Sequence, residues 1–273
     1  MHRAKPPFTR FANNPRYSLL PLIQDRLKMK FRLLFASLLL LAVQCREPRG
    51  ATSVPAAPPP AATGSTGLDP NGIGKVYMGR QIAQVMGHEG ADWLERPGRD
   101  REEGTNELVR LLRLRDTDIV ADIGAGTGYF TFRLAPLVPN GRVKAVDIQP
   151  EMLDALAARR KKLGANNVDL VLGTEQSPGL PPNSITLALL VDAYHEFAYP
   201  REMMTGIYKA LRPGGRVALV EFKAEDPDVA IKTIHKMSVA QCRKELEAIG
   251  LFFREARPGL PQQHLLIFEK SAE

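Results

Sequence analysis

Residues 119–130 read IVADIGAGTGYF, and this stretch decides the fold. Ile119 to Ile123 is apolar apart from Asp122, the composition of a buried central strand that ends beside a carboxylate. Gly124, Gly126 and Gly128 then stand at alternate positions, so the backbone can turn sharply and bring bare N–H groups against a ligand where a Cβ would collide. Tyr129 to Val138 is predicted to be a helix whose N-terminus points at the same place. Strand, glycine turn and helix together make a ligand cradle at the carboxyl end of a parallel strand.

The spacing narrows what the cradle holds. A dinucleotide fingerprint needs Gly-x-Gly-x-x-Gly, but counted from Gly124 the third glycine position is Tyr129. A phosphate loop ends in Gly-Lys-Ser/Thr, and this stretch has no lysine. The pattern present, Asp-x-Gly-x-Gly-x-Gly, resembles the first motif of the class I S-adenosylmethionine-dependent methyltransferases, and the resemblance runs from about Thr105 to the C-terminus. It implies an α/β fold: a Rossmann-like, doubly wound seven-stranded sheet, mostly parallel with its last strand antiparallel, and helices on both faces. It also implies S-adenosyl-L-methionine as cofactor and methyl transfer to a small-molecule acceptor. The competing readings are a non-catalytic binding protein that keeps this fold and a nucleotide-dependent oxidoreductase.

Further motifs follow in order. Thr105 to Leu114, with Leu108, Leu111 and Leu112 on one face, is a helix beside the first strand. Arg142 to Val146 reads as the second strand and ends in Asp147, 19 residues beyond Gly128, where a carboxylate can accept both hydroxyls of a ribose. Ile148 beside it is placed to pack on an adenine. Pro150 opens a helix over Glu151 to Leu163, and Val168 to Gly173 is the third strand. Ile185 to Val191, ITLALLV, is the fourth strand and leads into Asp192-Ala193-Tyr194-His195-Glu196-Phe197. Arg201 to Leu211 is an amphipathic helix, and the glycines of LRPGGRV admit the bend into a fifth strand, VALVEF. Ser238 caps a helix over Val239 to Ile249, and Leu251 to Ala256 with His264 to Lys270 form a closing antiparallel pair.

The resemblance assigns roles to these positions. Cofactor contacts fall to Asp122, Gly124, Ala125, Gly126, Gly128, Asp147, Ile148 and Asp192, with Thr174 and Glu175 as the candidates for reading the adenine. Asp192 is expected near the methionine end of the cofactor. Tyr194 and His195 are expected to face the acceptor, with His195 as the base if the acceptor must lose a proton. Because the sulfonium already carries an activated methyl group, the protein's task is to place the nucleophile in line and exclude water.

The chain before Thr105 reads differently. Residues 1–28 are basic and aperiodic, a probable non-native or disordered extension ahead of a start at Met29. Residues 29–45 have a positive n-region and the apolar run LLFASLLLLAV, the length of a signal-peptide core, closed by Cys45 in a sequence similar to a lipoprotein box. Export, to the periplasm or to a lipid anchor on the envelope, is the expectation; an uncleaved anchor holding the protein at the cytoplasmic face of the inner membrane is the alternative. Residues 46–73 are a Pro/Ala-rich tether, and membrane contact is expected only through the N-terminal segment. Residues 74–104 form a helical arm, in which Ile82, Val85 and Met86 suggest a short helix ended near Gly87, and Trp93 sits among arginines as either a lid or a packing cover.

Charge and cysteine exclude other classes. The net charge of +7 resides in residues 1–50, which carry ten Lys and Arg against two acids; residues 51–273 carry 27 against 28. The folded part therefore lacks the global charge of a nucleic-acid binder, and no Asn/Asp-Pro-Pro-Tyr/Phe motif of base methylation follows the fourth strand. With only Cys45 and Cys242, and with no zinc spacing, no metal is expected.

Overall fold

The computed structural model describes residues 67–273. The leader, the signal segment and nearly all of the tether lie outside the described residues. Among the described residues no helix is long and apolar enough to cross a membrane.

The arm begins as a β-hairpin, β1 (Gly72–Tyr77) and β2 (Arg80–Ala83), where a helix was expected. The turn explains the difference. Tyr77 pairs with Arg80, and the two residues between them, Met78 and Gly79, have φ of 49° and 99°, the doubly left-handed geometry that matches the twist of a hairpin. Ile82 is buried as a strand residue, while Val85 and Met86 leave the hairpin to line a cavity. Short helices α1 (Ala91–Leu94), α2 (Arg99–Glu103) and α3 (Thr105–Leu111) complete the approach to the sheet.

The sheet is built from β3 (Ile119–Ile123), β4 (Arg142–Asp147), β5 (Val168–Leu172), β6 (Ile185–Val191), β7 (Leu211–Lys223), β8 (Lys236–Met237), β9 (Phe252–Arg257) and β10 (Gln263–Glu269). Its order is β5-β4-β3-β6-β7-β10-β9, with β8 pairing the end of β7, so it has eight strands and not the seven expected. β10 runs antiparallel between β7 and β9. The added strand is two residues long, Lys236 and Met237 against Phe222 and Lys223, too short to leave a periodic signal. α4 (Thr131–Leu134), α5 (Pro150–Leu163), α6 (Pro200–Ala210) and α7 (Val239–Glu247) connect the strands. The helix expected from Tyr129 to Val138 is shorter because Pro136 has no N–H to continue it, and the chain tightens into a 3-10 turn at Ala135–Leu137.

Both faces of the sheet are covered, as the unbroken apolar strands require. Along β6, Leu187 and Leu189 join Val120, Leu134 and Leu156 on one face, while Ala188 and Leu190 join Ile123, Met204, Ile207 and Phe268 on the other. The connections leave β3 toward β4 and β6 toward β7, in opposite directions, so the switch point lies between the carboxyl ends of β3 and β6. The loops after these strands touch there: a Cβ on Gly124 would come within 2.9 Å of Ala193 Cβ.

Candidate functional site

A cavity of about 600 Å³ opens at this switch point, lined from three directions. The sheet supplies Gly124, Gly126, Asp147 and Ile148 on one side and Asp192, His195 and Glu196 on the other; the arm supplies Met86, Trp93, Leu94, Arg99 and Glu103; residues Ala230 to Lys232 and His235 close the third. The arm thus forms part of the cavity wall, and Trp93, half exposed, stacks on Arg96 with the guanidinium 3.8 Å from its ring centre.

The glycine turn is wired inward, which corrects the expectation of bare N–H donors. Gly124 N and Ala125 N both donate to Val146 O, Gly126 N donates to Asp147 Oδ2 at 2.8 Å, and Gly128 N donates to Ala125 O. What the turn offers a ligand is close approach: Gly126 has φ +54°, and a Cβ there would meet Leu94 Cδ1 at 2.7 Å. Ala125 and Gly128 do not line the cavity; Gly128 lies against Leu156 and Phe132. Asp147 is held by Gly126 N and by Gln149 N, at 2.8 and 3.0 Å, and each of its oxygens keeps a second lone pair for a hydroxyl donor. Asp122 is also turned away from the cavity. Its Oδ2 accepts from the buried Thr131 hydroxyl at 2.6 Å, tying the strand end to α4, and burial pushes its carboxyl up to about 6. Of Thr174 and Glu175, only Glu175 reaches the cavity, because Thr174 pairs with Ser177 across a turn.

The loop after β6 divides its residues. Tyr194 does not face the cavity: its side chain is buried in the core, and its hydroxyl donates to Glu245 Oε2 at 2.6 Å. The 3-10 turn Tyr194–Glu196 sends neighbouring side chains to opposite sides, which is the reason that Tyr194 and His195 part company. His195 is on the cavity wall. Its Nδ1 lies 2.5 Å from Glu221 Oε2, while Glu221 Oε1 accepts from Tyr194 N at 3.0 Å. A carboxylate only accepts, so Nδ1 carries a proton, and in the neutral ring Nε2 holds the lone pair. That atom lies 3.1 Å from His235 Nδ1. Burial is the strongest single influence on the His195 pKa and depresses it, but the acids around the ring, Glu221 first and then Glu196 and Asp192, together raise it; His235, desolvated and beside His195, is lowered.

Asp192 has φ +49°, an unusual backbone for a side-chain-bearing residue. Its Oδ2 accepts from Gln263 Nε2 at 2.6 Å; its Oδ1, shielded from solvent, has no partner among the described residues. Burial, then the carboxylates of Glu221 and Glu103, push its pKa well up. The wall also carries a cation, Arg99, buried, with Nε on Glu103 at 2.9 Å and Nη1 on Leu94 O at 2.8 Å.

Sequence reading assigned no role to Glu103, Glu196, Glu221, His235 and Gln263, and offered Arg99 only as one of the arginines around Trp93 in the candidate lid. Glu196 stood beside His195 in the run already singled out, and Glu221 in VALVEF was a charge at the end of an apolar strand. His235 and Gln263 carried no local signal.

Residues 121–217 match the family model described as a methyltransferase domain. An uncharacterized methyltransferase-like protein of Schizosaccharomyces pombe is 38% identical over 122 residues, covering 45% of each chain. The chain spans less than half the length of the curated relatives it matches. Among solved structures, a SAM-dependent methyltransferase from Aquifex aeolicus superposes with a TM-score of 0.64 at 21% identity, covering 68% of this chain and 99% of that one. A structure described as PigF with SAH superposes with a TM-score of 0.53 at 18% identity, covering 67% and 59%. At these identities the structural likeness is one of fold. The sheet order and the glycine turn agree with that shared fold, and residues 121–217 carry the methyltransferase-domain match.

Proposed function

We propose that the chain transfers a methyl group from S-adenosylmethionine to a small-molecule acceptor bound in the same cavity. The observation that carries this reading is the cavity wall itself, which runs from Asp147 at the tip of β4 to His195 after β6 and holds an unpartnered carboxylate oxygen, Asp192 Oδ1, between them. The residues fit the cofactor: Asp147 for ribose hydroxyls, Ile148 for the adenine face, Asp192 for the ammonium and Arg99 for the carboxylate of the methionine end. The bound cofactor would supply an electrophilic methyl group on a sulfonium.

The chain's own residues would bind, orient and dry the site. Leu94 on Gly126 and Met86 on the arm side narrow the access of water. Glu221 fixes the His195 tautomer, so Nε2 is the basic atom facing the cavity and the one to take a proton from an acceptor that must lose one.

Calorimetric titration with S-adenosylmethionine and S-adenosylhomocysteine tests the reading, with NAD as control. Micromolar binding, weakened at least about tenfold in Asp147→Ala and absent for NAD, is the expected outcome. Absence of binding by either adenosyl ligand would overturn it.

A further inference from the structure

His195 Nε2, His235 Nδ1 and a Glu196 carboxylate oxygen lie within 4.8 Å of one another, on the wall of the cavity. The separations are 3.1 Å between the two imidazole nitrogens and 3.9 Å from His195 Nε2 to Glu196 Oε1. Ligand atoms about 2.1 Å from a common ion stand roughly 3.0 to 3.4 Å apart in octahedral or tetrahedral arrangement. The two nitrogens already match that edge, and the Glu196 side chain has to move inward to reach it.

The surroundings are those of a held ligand, not of a solvated charge cluster. The His195 side chain is 3% exposed, and Glu221, itself fully buried, accepts from its Nδ1. That second carboxylate fixes the tautomer and leaves Nε2 aimed at the other two groups, the arrangement that orients metal-binding histidines. Two 3-10 turns, Tyr194–Glu196 and Thr233–His235, position the rings, whose centres are 5.0 Å apart at 87°.

We propose that His195, Glu196 and His235 form a site for one divalent transition-metal ion whose remaining coordination positions open into the cavity. Two imidazoles and one carboxylate suit Zn²⁺, Co²⁺ or Fe²⁺ better than the all-oxygen preference of Mg²⁺ or Ca²⁺. Small oxygen donors, a hydroxyl or carboxylate of the acceptor among them, are the class that completes it. With the ion bound, the Nε2 lone pair of His195 is a ligand and not a base. The site stands on these three side chains and does not require methyl transfer.

The experiment is titration of the chelator-treated full chain with Co²⁺, followed by visible d–d absorption and by the imidazole resonances in NMR. One ion per chain is expected, perturbing His195 and His235 but not His88 or His264. His235→Ala, His235→Gln and Glu196→Ala should each weaken binding at least about 100-fold, Glu221→Gln about 10- to 100-fold, and His264→Ala not at all. No stoichiometric binding by the wild type, perturbation of His88 or His264 instead, or wild-type affinity in a folded His235 variant would overturn the proposal. S-adenosylhomocysteine binding, measured in parallel, reports the fold of the variants and separates the two readings: a wild type that binds the adenosyl ligand but not Co²⁺ sinks this inference alone, and a wild type that binds Co²⁺ but neither adenosyl ligand sinks the methyl-transfer reading alone.

Discussion

Asp122, Asp147 and Asp192 end three neighbouring strands, yet only the last two meet the cavity. Asp122 pays the cost of burial for a tie to Thr131. Its pKa is about 6 in the fold against 3.8 ordinarily, so between these values the native state holds a proton that the unfolded chain has lost, and stability falls as pH rises from about 4 to about 6. The term is ~3 kcal/mol. Asp122→Asn keeps an acceptor for the Thr131 hydroxyl and removes the titration, so urea unfolding should find the variant gaining on the wild type by up to that amount between pH 4 and pH 7. An unchanged difference across this range would refute the burial argument. Asp192 is also buried, but its Oδ1 has no partner among the described residues and on the proposed reading would serve the cofactor's ammonium group. Asp192→Asn retains an acceptor for Gln263, tolerates φ +49° and removes a charge that burial disfavours, so near neutral pH it should stabilise the fold by about 0.5–2 kcal/mol while weakening S-adenosylmethionine at least about tenfold. Denaturant midpoints and calorimetry on the same preparation would check both halves.

Among the elements, a buried ion pair ties the hairpin to α7, beside bonds from Gln241 and Lys244 to Met78 O. Arg80 on β2 donates to both oxygens of the fully buried Glu245 on α7, at 2.7 and 3.1 Å, and to His195 O at 3.1 Å. Removing the guanidinium strands a carboxylate that also receives Tyr194 and Gln241, so Arg80→Ala should cost about 3–5 kcal/mol. Hydrogen exchange should speed in residues 72–83 more than in the central strands; equal protection there would mean that the pair does not hold the arm. Strong patterns were legible at this scale. ITLALLV has the same bounds in sequence and structure, and Ser238 caps its helix by accepting from Gln241 N. The hairpin was misread because Ile82, Val85 and Met86 satisfy a helical spacing, whereas Met78-Gly79 turn geometry decides the segment. Tyr194 was misplaced because adjacency in sequence does not say which way a 3-10 turn sends a side chain.

At the scale of the whole molecule, the cavity exists because segments far apart in sequence meet at one switch point. His195 and His235 are 40 residues apart, and Asp192 and Gln263 are 71. Such pairs have no local period, which is why the glycine turn and Asp147 could be read from the sequence while His235 and Gln263 could not. The same assembly makes ligand and fold interdependent. Leu94 of the arm rests on Gly126, Thr127 of the glycine turn donates to Glu95, and Gln149 beside Asp147 donates to Met86 O, so a ligand in the cavity touches both arm and sheet. A ligand that binds only this assembled form adds RT ln(1 + [L]/Kd), about 2.7 kcal/mol at 100 times Kd. For a domain of this size that corresponds to roughly 5–10 °C in Tm. S-adenosylhomocysteine should therefore raise the Tm of the wild type by that amount, with a smaller rise in Arg80→Ala, whose arm is held less firmly. A rise of similar size in both would show that the ligand reads the sheet alone and that the arm is a cover and not part of the site.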